Sequence, residues 1–153
     1  EAAFLLSLAV AAVEELLFRG FLFQRLRDGL GPWPGQIVVA AFFVLTHADA
    51  LEAAGALRYL GGLNIFIASL MFGVAFVRTG SLALPIGLHF AANFVQGGVL
   101  GFGISGGAES GLLAPRLAAG MDWITGGAFG LEASVPGLVC VAAVTIFLHR
   151  WRR

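Results

Sequence analysis

Residues 13–27 read VEELLFRGFLFQRLR, with two adjacent glutamates and an arginine in a run that is otherwise almost wholly apolar. Residues 2–13 ahead of them carry no charge, and Arg19 is followed by Gly-Phe-Leu-Phe. Whether this helix lies in water or in lipid decides the fold, and composition supplies the answer. The 153 residues are 59% hydrophobic and 12% charged, about half the roughly 25% charged share of soluble domains. This is the composition of a membrane-embedded protein, with the bilayer as its principal partner. The basic residues are all arginine, and the formal net charge is zero. Nothing in that balance suggests binding to nucleic acid. The single cysteine, Cys140, lies in an apolar run and is expected to be a buried thiol outside any internal disulfide. The sequence opens inside an apolar segment, so residues 1–153 are expected to be a single domain excerpted from a longer membrane protein.

A helix needs about 20 mostly apolar residues to cross a bilayer. Working outward from 13–27, five segments approach that length: 2–26, 33–48, 59–77, 81–100 and the shorter 133–149. Breakers separate them, including DGLGPWPG at 28–35 and TGS at 79–81. The expected fold is therefore all-α, a polytopic membrane bundle of about five helices. Ser69 and Gly73 form a small-xxx-small pair suited to close helix packing. Residues 101–132 are Gly-rich and too polar to span; within them LLAPRLAAG is expected to hold one short helix. With five alternating spans, one side receives Arg25, Arg27, Arg78, Arg150, Arg152 and Arg153 against Asp28 alone. The other receives Arg58 and Arg116 against Asp49, Glu52, Glu109, Asp122 and Glu132. Arginine-rich loops stay cytoplasmic. The expectation is a multi-pass protein of a cell membrane, the inner or plasma membrane if bacterial, with a cytoplasmic C-terminus and loop 101–132 on the opposite side.

Ionisable residues inside spans are expensive and point to function by default. They are Glu14, Glu15, Arg19, His47 and His89, with Asn93 one turn beyond His89. Counted from the cytoplasmic helix ends, Glu14 lies about 18 Å deep, His47 about 20 Å, His89 about 12 Å and Asn93 about 18 Å. Three helices thus offer polar groups at similar depth. Glu15 and Arg19 stand at i,i+4 in the order that favours an ion pair, which leaves Glu14, rotated by about 100°, to face elsewhere. Glu14 has the placement of a general base, a neighbouring histidine could share its water, and His89 with Asn93 could aim two donors at a developing oxyanion. A histidine or an EExxxR alone is more often structural than catalytic; their convergence at one depth favours a site. His149, beside the terminal arginines, reads as interfacial, and Asn64 and Gln96 as interhelical hydrogen-bonders.

EELLFR (Glu14 to Arg19), FVLTH (Phe43 to His47) and HFAAN (His89 to Asn93) fit the patterns EExxxR, FxxxH and HxxxN. In this order the chain resembles the CPBP family of intramembrane proteases, which includes the type II CAAX prenyl endopeptidases and bacterial relatives linked to bacteriocin immunity. The resemblance implies a glutamic-type intramembrane endopeptidase acting on a membrane-anchored or lipid-modified protein or peptide. It implies that Glu14 and His47 activate the water, that His89 and Asn93 hold the oxyanion, and that Glu15, Arg19 and Phe43 support them. No cofactor is expected; the alternative is zinc held by Glu14, His47 and His89. A different class of alternative is a non-catalytic immunity or binding protein, or a small transporter, although no repeated halves are visible.

Overall fold

The computed structural model describes residues 2–116 and 119–151. The fold is all-α: among the described residues β pairing is limited to one isolated bridge, Ile104 to Gly107. Helix α1 (Ala2–Glu15) runs through a π-helical stretch, Leu16–Leu22, into α2 (Phe23–Leu30). Gly31, at φ 86°, ends that rod and admits α3 (Pro32–Leu45), which has proline in its first turn, where the missing N–H has no partner to lose. A short α4 (Ala48–Ala53) and a 3-10 turn (Gly55–Leu57) lead into α5 (Arg58–Thr79), which Gly80 caps in the left-handed conformation. Helix α6 (Ala83–Asn93) continues as a second π stretch, Phe94–Val99. After a loop carrying the four-residue α7 (Asp122–Thr125), α8 (Val135–Arg150) starts at Ser134, whose hydroxyl caps Gly137 N.

Helix α5 is the central post, packed against α3, α6 and α8. Two apolar clusters form around it, one including Phe18, Phe43, Ile65, Phe76 and Phe129 and the other Phe72, Ala75 and Leu148. Helix α1 is inverted relative to a soluble helix. Ser7 and Glu15 are buried, while Leu5, Leu6 and Val13 are exposed, as are Leu16 and Leu17 just beyond its end. An exposed apolar perimeter around buried charge is what a lipid solvent selects.

The helix positions follow the expected segments, but five full-length spans do not. Only the segment Gly55–Thr79 is long and apolar enough to cross a membrane among the described residues. Helices α3 and α8, with 14 and 16 residues, reach about 21–24 Å at 1.5 Å per residue, short of a hydrocarbon core of about 30 Å. The second segment was expected to carry His47 within its helix; α3 instead stops at Leu45, and His47 sits in the turn at φ −106°. Residues 112–116 of LLAPRLAAG are not helical, because Leu112 and Leu113 donate their backbone N–H groups to Gly98 O and Val99 O; Leu117 and Ala118 lie outside the described residues. Arg152 and Arg153 lie outside them as well. Cys140 is exposed rather than buried, since α8 packs one side on α5 and leaves this position open to a cavity.

The loop at 101–134 is folded tightly. Gly130, at φ 99°, approaches Gly103 so closely that a Cβ there would land on the Gly103 carbonyl oxygen. Asn64 and Gln96, expected to bond between helices, bond instead to this loop: Asn64 Nδ2 donates to Glu132 O at 2.7 Å and Gln96 Nε2 to Gly103 O at 2.7 Å. Both are satisfied by backbone oxygens that the glycine-rich folding brings against the helices.

Candidate active site

The centre is a chain of buried polar groups. Glu15 and Arg19 are fully buried and paired, with Arg19 Nη1 donating to Glu15 Oε1 at 3.0 Å, as their i,i+4 spacing predicts. Arg19 Nη2 reaches across to α5, donating to the Ser69 carbonyl at 2.9 Å and the Ser69 hydroxyl at 2.6 Å. Its guanidinium lies 5.1 Å from the Phe43 ring centroid and 5.2 Å from that of Phe72, so aromatic faces take the place of water around the charge. Both π stretches begin directly after a polar site residue, Glu15 in one case and Asn93 in the other, a placement typical of π-bulges near functional sites.

His89 stacks on Phe72, with ring centroids 4.9 Å apart and an interplanar angle of 12°. Its Nδ1 lies 3.0 Å from Glu15 Oε1, and since a carboxylate only accepts, that nitrogen carries the proton. Its Nε2 then faces Glu14 Oε2 at 3.8 Å. The Glu14 side chain is 30% exposed. His47 Nδ1 lies 2.8 Å from Phe43 O; a carbonyl also only accepts, so His47 Nε2 is left with a free lone pair. Asn93 is buried, and its amide has no hydrogen-bond partner among the described residues.

Glu14, His47, His89 and Asn93 all line one cavity of about 450 Å³. The four residues that sequence reasoning singled out therefore converge, from α1, the end of α3, and α6. Glu15 and Arg19 do not reach it; they stand behind His89 as its anchor. His149 lies outside it, ring to ring with Trp33 at 5.7 Å, and its carbonyl accepts from Arg78. As for zinc, no group of three His, Cys, Asp or Glu side chains able to hold a metal ion occurs among the described residues. Glu14, His47 and His89 share the cavity, and each histidine has Nδ1 against a protein acceptor, which leaves Nε2 as the nitrogen open to a water or a metal.

Three contributors were not foreseen: Ser69 as the partner of Arg19, Phe72 as the stacking platform, and Gln36. Gln36 Nε2 donates to the same Ser69 carbonyl at 2.8 Å, so one oxygen serves both Gln36 and Arg19. Gly73 makes room for that amide, since a Cβ at Gly73 would fall on the Gln36 side-chain atoms. The Ser69/Gly73 spacing read from sequence as helix packing thus has a polar purpose. Gly73→Ala is expected to push the amide off Ser69 and destabilise the protein by about 1–3 kcal/mol, the penalty for a buried group losing its hydrogen bond. Thermal unfolding of the purified protein measures this, and the double substitution Gly73→Ala with Gln36→Ala should recover part of the loss.

No curated protein and no solved structure matches the chain. A family model does match, over residues 2–95, a stretch that holds Glu14, Glu15, Arg19, His47, His89 and Asn93. By that match the chain belongs to the type II CAAX prenyl endopeptidase Rce1-like family.

Proposed function

We propose that this chain is an intramembrane endopeptidase that hydrolyses a peptide bond of a membrane-anchored or lipid-modified substrate, using a water activated by Glu14 and His47. The observation that carries this reading is the convergence of Glu14, His47, His89 and Asn93 on one cavity. Water held between the Glu14 carboxylate and the free Nε2 of His47 gives up a proton as its oxygen attacks the scissile carbonyl carbon. The oxyanion that forms is met by the Asn93 amide and by His89. With Nδ1 committed to Glu15, His89 donates from Nε2 only when doubly protonated; Glu15 is already paired with Arg19, so the oxyanion itself balances the added charge. Arg19, held by Ser69, keeps Glu15 in place and acts through it. The returning proton goes to the leaving amine, completing a peptide hydrolysis.

The membrane setting belongs to the same proposal. The inverted exposure of α1, the apolar perimeter and the span Gly55–Thr79 support a multi-pass bundle in a cell membrane. The arginine asymmetry supports a cytoplasmic C-terminus. Residues 1–153 would then form one protease domain, with loop 101–132 away from the cytoplasm.

Purified protein in proteoliposomes, given a farnesylated CAAX peptide or an unmodified membrane-anchored peptide, tests the reading by the mass of the products. Cleavage of the farnesylated peptide alone assigns the prenyl class, and cleavage of the anchored peptide assigns the wider one. Intact peptides of both kinds would contradict the proposal. In the same vesicles an impermeant thiol reagent should reach a cysteine placed at Glu109 from the side opposite one placed at Arg78; labelling of both from one side would overturn the sidedness.

A further inference from the structure

The cavity has a second polar end that the chemistry above does not use. From Phe72, on which His89 stacks, its wall follows α5 through Ala68 and Ile65 to Asn64. That is about 12 Å at 1.5 Å per residue. At this end the polar atoms left free are acceptors. Asn64 is 3% exposed; its Nδ2 is spent on Glu132 O, and its Oδ1 is buried without a partner. Glu132 Oε2 accepts from Ser105 N at 2.7 Å and Ser105 Oγ at 2.8 Å. Its Oε1 accepts no hydrogen bond, and Glu132 takes part in no ion pair among the described residues.

The local backbone is arranged to produce this end. Ser105 is held at φ 47°, an uncommon conformation for a non-glycine residue, by its two bonds to Glu132. Gly137 lets the first turn of α8 pass the loop, for a Cβ there would strike the Leu131 carbonyl and crowd Asn64 Nδ2. The surrounding wall is apolar, with Ile65, Leu131 and Val141. A carboxylate in such surroundings, with no cation of its own, is matched by a cationic partner that donates hydrogen bonds.

We propose that this end is a substrate subsite for a basic side chain, with Glu132 as the counter-charge. The proposal rests on the peptidase reading and adds a specificity to it. An extended peptide advances about 3.3–3.6 Å per residue, so the basic residue lies about three to four positions from the bond that is cut.

Cys140 lines the same cavity and is the chain's single cysteine, so its alkylation by N-ethylmaleimide reports occupancy without any turnover. The probes are acetyl-Leu-Leu-Leu-Arg-amide and its norleucine counterpart, added to the intact chain. The arginine peptide should slow alkylation at about tenfold lower concentration, the scale of a hydrogen-bonded charge. Glu132→Gln, whose amide oxygen still accepts from Ser105, should erase the difference, and Glu14→Gln should preserve it. Without any variant, the wild-type thiol should react faster with a cationic methanethiosulfonate than with an anionic one. Equal protection by the two peptides, a preference that survives Glu132→Gln, or equal reagent rates would overturn the subsite. The peptidase reading is judged separately, by loss of cleavage in Glu14→Gln.

Discussion

Replacing Glu14 by glutamine should lower peptide cleavage by about 10²–10⁴-fold, the range supplied by a positioned general base, while the protein still folds and inserts. The substitution keeps the shape of the side chain and removes its ability to take a proton. Glu14 is 30% exposed at the cavity and lies outside the buried Glu15–Arg19 pair, so little stability depends on its charge. The check is a cleavage assay run beside thermal unfolding of the same preparation. Near wild-type turnover in a well-folded Glu14→Gln protein would remove Glu14 from the chemistry. His47→Gln should also reduce cleavage, by less if Glu14 takes the proton and His47 only shares the water.

Arg19 should behave in the opposite way, with stability falling first. It is fully buried, and Arg19→Met deletes its bond to Glu15 and both bonds to Ser69. Glu15 would be left as an uncompensated buried carboxylate, a loss of about 3–5 kcal/mol for a broken buried pair. Yield and unfolding temperature should both drop. The double substitution Glu15→Gln with Arg19→Met should be more stable than Arg19→Met alone, because no lone charge remains. Cleavage should stay low in both: in Arg19→Met the carboxylate facing His89 loses the arginine that holds it, and in the double variant His89 loses that carboxylate itself. An Arg19→Met protein as stable as wild type would mean that the pair is not the brace described here.

The polar skeleton of the site was legible because it follows helix periodicity. Spacing alone paired Glu15 with Arg19 and turned Glu14 away, and depth alone put His47, His89 and Asn93 near them. Contacts between elements were not legible in the same way. Nothing local in the sequence tells that Arg19 ends on Ser69, fifty residues away, or that His89 is tethered to Glu15 rather than free to donate from both nitrogens. Gln36 did offer a cue, as the one amide in an otherwise apolar and uncharged helix, and Gly73 gains its meaning only beside it. The π stretches after Glu15 and Asn93 escape any reading based on a period of 3.6. The loop at 101–134 was recognisable as glycine-rich, but its close backbone approaches, and the burial of Asn64 against it, depend on the fold. Cys140 was misjudged because an apolar run suggests burial, whereas a helix beside a cavity keeps one side open.

In the mechanism proposed here, Glu14 and His47 activate the water themselves. In the zinc alternative a metal bound by Glu14, His47 and His89 would instead lower the water's pKa. His47 and His89 each commit Nδ1 to a protein acceptor and leave Nε2 uncommitted, an arrangement that serves either chemistry. The most direct measurement is the cleavage rate of purified protein before and after exhaustive chelation, followed by addition of zinc. The rate should survive chelation, and zinc should add nothing. Loss of activity on chelation, restored by zinc alone, would contradict this mechanism and make His89 a ligand rather than an oxyanion donor.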